Sequence, residues 1–116
     1  MYDPNNIFAK IIRKEIPSKI VYEDDKVLFI NDINPQAKIH ILCIPKTKAV
    51  DFCDFISKSS QETVCNFYSK INKIIKNHEL EKTGFRLVAN SGKDANQEVP
   101  HFHIHILGGE TLNRID

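Results

Sequence analysis

Three of the five histidines lie at alternate positions within five residues near the end of the sequence: His101, His103 and His105. Alternate side chains of a β-strand project from the same face of the sheet. If this segment is a strand, the three imidazoles form a row on one face, while Phe102, Ile104 and Ile106 point to the other. We therefore expect a strand with an apolar face toward the core and a histidine face that could do chemistry.

A row of imidazoles suits three kinds of site. A neutral imidazole attacks phosphorus well when one ring nitrogen is free and a hydrogen bond holds the other. His103 could therefore be a nucleophile, and the flanking histidines could donate hydrogen bonds to phosphate. Histidines at i and i+2 could instead chelate zinc, with His40, a cysteine or a carboxylate completing the ligand set. The third possibility is a set of satisfied or exposed surface histidines. Of the three, we favour the nucleophile.

The loop before the histidines supports this interpretation. Residues 90–100 form a polar stretch of eleven residues, and loops of this length in small domains are often functional. Asn90 ends the preceding strand, and Gln97 lies four residues before His101. Neutral amide donors suit a phosphate group without holding a metal ion. Asn90 and Gln97 are therefore candidate ligands for a phosphorylated substrate.

Apolar periodicity and turn residues predict the elements that position these groups. A short helix is expected over Asn6–Arg13, ahead of Pro17. Strands are expected at Ile20–Glu23, Val27–Ile30, Ile39–Ile44, Phe85–Ala89 and His101–Leu107. The first two should form a hairpin through a short polar turn.

A long amphipathic helix is expected in the middle of the chain. Ser59 and Glu62 fit a capping box, with Ser59 as the N-cap. The apolar residues that follow at helical spacing are Val64, Phe67, Tyr68, Ile71, Ile74 and Ile75. The order of strands and helix predicts one α+β domain over residues 1–116, with a five-stranded, mainly antiparallel sheet.

Composition excludes several classes of function. The chain has 116 residues and a formal charge of +1, so extended binding to nucleic acid or to an anionic membrane is not expected. The sequence has no apolar run long enough to cross a bilayer. Cys43, Cys53 and Cys65 are odd in number and unclustered, which favours free thiols in a reducing cytoplasm.

The sequence resembles the histidine-triad (HIT) superfamily and, within it, the Hint branch. The family pattern His-φ-His-φ-His-φ-φ, with φ apolar, stands here at residues 101–107 and is followed by Gly108-Gly109. Other segments that look like Hint sequences are Ile7–Pro17, Tyr22–Asp25, Asp32–Ala37, His40–Lys46, Gly84–Asn90 and Gln97–Val99. The similarity covers nearly the whole chain, and together these motifs are highly specific.

The resemblance implies a HIT-like fold and a purine nucleoside phosphoramidase-type hydrolase. Such an enzyme converts a nucleoside phosphoramidate and water into a nucleoside monophosphate and an amine. By analogy, His103 would become nucleotidylated, and His105 would sit against the α-phosphate and the leaving group. His101 and His40 would support and orient the imidazole cluster. No metal ion or other cofactor is expected.

The resemblance also implies how the nucleotide and a second subunit bind. Asp32 would hold the ribose hydroxyls, and Asn90 and Gln97 would contact phosphate or ribose. The residues matching the purine slot of the family are Phe8, Ile11, Ile30, Ile33 and Leu42. A homodimer is expected, in which the sheets of two subunits join and the long helix packs at the interface.

The loop before the triad departs from the family pattern. Ala95-Asn96-Gln97 stands where many Hint proteins have Gly-Gly-Gln or Ala-Gly-Gln, and Glu98 replaces a Ser or Thr that often assists the leaving group. Leaving-group preference therefore stays open. The alternatives are a dinucleoside polyphosphate hydrolase of the same superfamily, a nucleotide-binding interaction module with weak catalysis, and a zinc-binding protein.

Overall fold

The five strands form one sheet, which a computed structural model describes within residues 1–115. The helices are α1 (Ile7–Ile12), α2 (Phe52–Lys58) and α3 (Gln61–Asn77), and the strands are β1 (Ile20–Glu23), β2 (Val27–Asn31), β3 (Ile39–Pro45), β4 (Phe85–Val88) and β5 (Ile104–Gly108). The strand order is β1-β2-β3-β5-β4, and every neighbouring pair is antiparallel. The predicted α+β class, with a short first helix and one long helix, is confirmed.

One face of the sheet forms the main core. Phe29, Cys43 and Ile104 are cross-strand neighbours that are buried against α2 and α3. The helical residues on this side are Phe55, Phe67, Ile71, Ile74 and Ile75. The apolar stripe of α3 therefore packs against the sheet, as its spacing predicts, because a helix with one apolar face buries that face. No helix among residues 1–115 is long and apolar enough to span a lipid bilayer.

The opposite face of the sheet carries the histidines. Leu42 of β3 lies between Ile30 of β2 and His105 of β5 in the register. Phe8 and Ile11 of α1 pack onto this face and form a second apolar cluster with Ile30 and Leu42. The short helix thus covers the sheet beside the imidazoles.

The prediction of a strand over His101–Leu107 is wrong at its start, since β5 begins at Ile104. The backbone N–H of Phe102 donates to the carbonyl of Ala49, and that of His101 donates to the carbonyl of Val99, both at 2.8 Å. These bonds lead the chain away from the strand ladder. The alternation of side chains nevertheless persists, because Phe102 and Ile104 are both buried in the main core.

The helix α2 is absent from the sequence-based prediction. Its N-cap is Asp51, whose side chain accepts a hydrogen bond from the backbone N–H of Asp54 at 2.9 Å. Phe55 is fully buried and stacks on Phe102, with ring centroids 4.8 Å apart. The capping aspartate was the available sequence signal, but seven residues are too few to show a clear apolar period.

The predicted N-cap of the long helix is also wrong. Ser60, not Ser59, caps α3, and its Oγ accepts a hydrogen bond from the backbone N–H of Thr63 at 3.1 Å. Adjacent serines offer the same side chain, so only the backbone path decides which one meets the free N–H groups of the first turn. Within residues 1–115, the Ser59 hydroxyl is buried without a hydrogen-bond partner.

The two serines therefore make a matched pair for a stability test. Ser60→Ala should lower the free energy of unfolding by about 1 kcal/mol, because the first turn of α3 loses its cap. Ser59→Ala should leave it unchanged or raise it slightly, since the hydroxyl it removes is buried and unpaired. Urea denaturation of both variants measures the difference. A larger loss in Ser59→Ala than in Ser60→Ala would contradict the assignment of the cap.

Candidate active site

Four imidazoles converge on the α1 face of the sheet. His40 comes from β3, His105 from β5, and His101 and His103 from the segment immediately before β5. His40, His101 and His103 are 6%, 0% and 7% exposed. Burial lowers the pKa of all three below the usual value of 6.5, although the carboxylate of Asp32 partly opposes this for His40. The cluster is therefore neutral at pH 7.

A backbone carbonyl determines which ring nitrogen of His103 carries the proton. Its Nδ1 lies 2.7 Å from the carbonyl oxygen of His101. A carbonyl only accepts, so Nδ1 carries the proton and Nε2 of the neutral ring keeps its lone pair. The edge of the Phe8 ring meets His103 with the centroids 4.8 Å apart. His103 is thus held in one tautomer, with a free nitrogen that can act as a nucleophile.

His101 is held by two hydrogen bonds, one of which involves a residue that the sequence analysis missed. Its Nε2 lies 2.7 Å from the carbonyl oxygen of Pro45, so this nitrogen donates. Its Nδ1 lies 2.6 Å from the hydroxyl of Tyr2. These two residues are 99 positions apart, and nothing in the local pattern around Tyr2 signals the contact.

His40 and His105 form a hydrogen-bonded pair. Nδ1 of His40 accepts from the backbone N–H of Gln36 at 3.0 Å, so Nε2 of the neutral ring carries the proton. That Nε2 lies 2.8 Å from Nδ1 of His105 and 3.3 Å from a carboxylate oxygen of Asp32. His105 then has its own proton on Nε2. Burial, together with the charges of His103 and His40, lowers the pKa of His105 to about 4.

The tautomers together give the site a nucleophile and a donor. His103 offers an unprotonated Nε2, and His105 offers an N–H, on rings whose centroids lie 5.1 Å apart. A nucleophile next to a neutral donor is suited to displacement at phosphorus, where negative charge develops on the oxygens and on the leaving group. The arrangement can therefore support covalent catalysis by His103 with assistance from His105.

The residues expected to line a purine slot are not all brought together. Phe8, Ile11, Ile30 and Leu42 are buried in one cluster, whereas Ile33 is 90% exposed and lies outside it. A cavity of about 230 Å³ adjoins this cluster, and its lining is Ile11, Lys14, Ile16, Pro17, Ser18 and Ile20. A larger open depression of about 480 Å³ is lined by residues 83–86 and 109–112. None of the four histidines lines either of the two.

The polar candidate residues Asn90, Gln97 and Glu98 differ in their contacts and exposure. The Gln97 side chain donates to the carbonyls of Val50 and Val99 at 2.7 and 3.0 Å and accepts from the backbone N–H of Gly92 at 2.9 Å. It therefore braces the loop. Asn90 is half-buried and Glu98 is exposed. Each lies on the loop that Gln97 stabilises.

Comparison with known proteins agrees with the histidine arrangement. The family model described as HIT domain matches residues 13–112. The chain belongs to the HIT family. A curated relative, Adenylylsulfatase HINT1 of Arabidopsis thaliana, is 41% identical over 96% of this chain and 76% of its own. The predicted membership of the histidine-triad superfamily and its Hint branch is confirmed.

Solved structures of HIT proteins share the whole fold. A histidine triad protein from Clostridium difficile has a TM-score of 0.89 and 44% identity, and the match covers 100% of both chains. A HIT family hydrolase from Legionella pneumophila Philadelphia 1 has a TM-score of 0.87 and 37% identity, covering 94% of this chain and 96% of its own. The similarity extends well beyond the triad and includes the sheet that carries it.

One group in the described part of this HIT domain has the composition of a metal site. Ligand atoms of Asp32, His40 and His105 lie within 4.8 Å of one another. His101 and His103 do not take part, so the group differs from the pair of neighbouring triad histidines that the alternative of a zinc site considered. A cation here would replace the proton that His40 shares with His105, because the two nitrogens are only 2.8 Å apart.

The depressed pKa of His105 predicts a pH-dependent stability. In the unfolded chain this imidazole takes up a proton near pH 6.5, whereas in the folded HIT domain it resists protonation down to a pKa of about 4. The contribution of neutral His105 to the free energy of unfolding is therefore complete above pH 6.5 and is lost as the pH falls toward 4. We expect the free energy of unfolding, measured in urea, to decrease from pH 7 to pH 5.

The His105→Asn variant should show a smaller decrease over the same interval, because the titrating group is gone. His78→Asn serves as the matched control, since His78 is exposed at the end of α3. The quantity compared is the slope against pH and not the absolute stability, which the loss of the hydrogen bond to His40 also lowers. An unchanged slope in His105→Asn would contradict the assignment.

Proposed function

We propose that this HIT protein hydrolyses purine nucleoside phosphoramidates to a nucleoside monophosphate and an amine. The observation that carries the proposal is the 2.7 Å hydrogen bond from Nδ1 of His103 to the carbonyl of His101, which leaves Nε2 unprotonated. The adjacent N–H of His105 and the apolar cavity beside α1 add a donor and a place for a base. The similar HIT family hydrolase from Legionella pneumophila agrees with this class of reaction.

In the first step, Nε2 of His103 attacks the α-phosphorus and the phosphorus–nitrogen bond to the amine breaks. The imidazole becomes positively charged as it is nucleotidylated, and the carbonyl of His101 stabilises this charge through the Nδ1–H bond. His105 donates a hydrogen bond from its Nε2–H to a phosphate oxygen, and the departing nitrogen takes its proton from solvent and leaves as the neutral amine. The pair formed with His40 holds His105 in the tautomer that can donate.

In the second step, water attacks the nucleotidylated histidine. The bond between phosphorus and Nε2 of His103 breaks, and the nucleoside monophosphate leaves. The water releases its proton to solvent, and His105 stays neutral throughout. Because His103 returns to the neutral tautomer that the backbone imposes, the site is reset without a cofactor in this scheme.

The nucleoside portion is assigned to the α1 side of the site. The base would lie beside the apolar cluster of Phe8, Ile11, Ile30 and Leu42, at the cavity that Ile11 lines. Asp32 would bind the ribose hydroxyls, and exposed Ile33 would close over the base. Asn90 and Glu98 would face the phosphate and the leaving group, on a loop that Gln97 holds in place.

The proposal includes a homodimer in the cytoplasm. Strand β4 is at the edge of the sheet, and Phe85 and Leu87 on it are 41% and 40% exposed. An edge strand with exposed apolar side chains is a ready template for pairing with a second sheet. The three cysteines are free thiols, which suits a reducing compartment.

The enzymatic test is hydrolysis of a fluorogenic adenosine phosphoramidate in excess EDTA. Wild type should turn over, and His103→Ala should lose at least about a hundredfold in kcat/KM because the nucleophile is removed. His78→Ala is the matched control, an imidazole removed from the exposed end of α3, and should keep wild-type activity.

Other substrates and outcomes separate the alternatives. Faster turnover of a diadenosine polyphosphate or of adenylyl sulfate than of the phosphoramidate would reassign the substrate class. Saturable AMP binding without turnover would favour a binding module. Loss of activity in EDTA, with about one zinc per subunit in the untreated protein, would point to the group formed by Asp32, His40 and His105.

The dimer is tested by placing a charge on each edge of the sheet. Leu87→Arg on β4 should convert the dimer to a monomer in sedimentation equilibrium, because an arginine cannot be buried in an apolar contact without a partner. Ile20→Arg is the matched control on β1, the opposite edge strand, where Ile20 is 48% exposed. A monomeric wild type, or equal dissociation by both variants, would contradict this interface.

A further inference from the structure

The hydroxyl of Tyr2 lies inside the histidine cluster and is not used by the mechanism above. It is 2.6 Å from Nδ1 of His101, and the two rings meet at 70° with their centroids 5.5 Å apart. Tyr2 is half-buried and His101 is fully buried. A hydroxyl placed this closely against a buried ring nitrogen does more than pack, because it gives that nitrogen a hydrogen-bond partner.

The direction of each hydrogen bond at His101 follows from its partners. The carbonyl of Pro45 accepts from Nε2 at 2.7 Å, so that nitrogen holds the single proton of the neutral ring. Nδ1 is then an acceptor, and the Tyr2 hydroxyl donates to it. Without this donor, Nδ1 would be a buried acceptor with an unmet hydrogen bond, which favours a different ring orientation or tautomer.

His101 is directly linked to the nucleophile. Its own carbonyl oxygen accepts the Nδ1–H of His103 at 2.7 Å. The ring and the carbonyl belong to one residue, which lies outside the strand ladder and is fixed at its ring by Pro45 on one side and Tyr2 on the other. Restraining the ring of His101 therefore restrains the carbonyl that orients His103.

The segment carrying Tyr2 is itself tied to α1. The carbonyl of Asp3 accepts from the backbone and the side-chain amide of Asn6, at 3.2 and 2.7 Å. Asn6 caps α1, and the guanidinium of Arg13 at the other end of that helix donates to the carbonyl of Pro4 at 2.8 Å. The position of the Tyr2 hydroxyl is thus fixed by contacts with α1. The same helix places Phe8 against His103.

We propose that Tyr2 is a positioning residue for the nucleophile: its hydroxyl donates to Nδ1 and holds the ring of His101 in the position and tautomer that the Pro45 carbonyl selects. His101 in turn orients His103 through its own carbonyl. This inference rests on the proposed covalent role of His103. Tyr2 does not touch the reacting atoms, so its loss should affect the rate of the chemical step and not the binding of the nucleotide.

The kinetic test is Tyr2→Phe, which removes one oxygen and keeps the ring against His101. We expect kcat for the phosphoramidate to fall about three- to tenfold, the range of one neutral hydrogen bond, with KM within twofold of wild type. Tyr22→Phe is the matched control, because the Tyr22 hydroxyl also donates to a side chain, that of Asp24 at 2.8 Å, and lies outside the histidine cluster. It should leave kcat unchanged.

The direct test is long-range ¹H–¹⁵N correlation of the imidazoles at pH 7.5. Wild type and Tyr22→Phe should show His101 as the Nε2–H tautomer and His103 as the Nδ1–H tautomer. Tyr2→Phe should shift the ring signals of His101, whose Nδ1 loses its donor, and also those of His103. A kcat within twofold of wild type, an equal loss in Tyr22→Phe, or a loss of kcat with the ring signals of His101 unchanged would overturn the proposal.

The two tests keep this inference separate from the proposed function. If wild type hydrolyses no phosphoramidate, the proposed reaction fails, but the imidazole spectra still decide whether Tyr2 positions the ring of His101 and affects the environment of His103. Unchanged spectra in Tyr2→Phe overturn the positioning role whether or not the protein is an enzyme.

Discussion

The hydrogen bond from Nδ1 of His103 to the backbone carbonyl of His101 is the interaction on which the site depends. It leaves a lone pair on Nε2 without any charged partner. The bond is available because strand pairing starts only at Ile104. A His101 in the regular ladder would have its carbonyl engaged by the neighbouring strand. The departure of the chain toward Ala49 therefore creates the acceptor that the nucleophile needs.

Neutrality is the second requirement, and burial supplies it. Imidazoles whose ring centroids are 5.1 Å apart repel one another when protonated, and an apolar environment disfavours each positive charge. Backbone groups then assign the protons, through the N–H of Gln36 and the carbonyls of His101 and Pro45. Because backbone positions are fixed by the fold, the tautomers are set before any substrate arrives.

The surrounding elements hold these backbone groups in place. Phe102 anchors the segment before β5 on the core side of the sheet. Its ring stacks on Phe55 of α2, and its backbone N–H donates to the carbonyl of Ala49. Gln97 connects the preceding loop to Val50. The residues immediately after β3 thus support both the loop and the triad. On the other face, α1 closes the site with Phe8. A layer on each side of one sheet leaves the histidines little freedom to rotate.

The sequence by itself determined the fold class, the strand order along the chain, the apolar stripe of α3 and the identity of the histidine cluster, because periods of 2 and 3.6 residues and a specific motif are local signals. The tertiary structure alone decided the start of β5, the presence of α2, the cap at Ser60 rather than Ser59, and the bracing role of Gln97. It also decided the contact between Tyr2 and His101. Each of these depends on which backbone groups are left unpaired, and that is fixed only when distant segments meet.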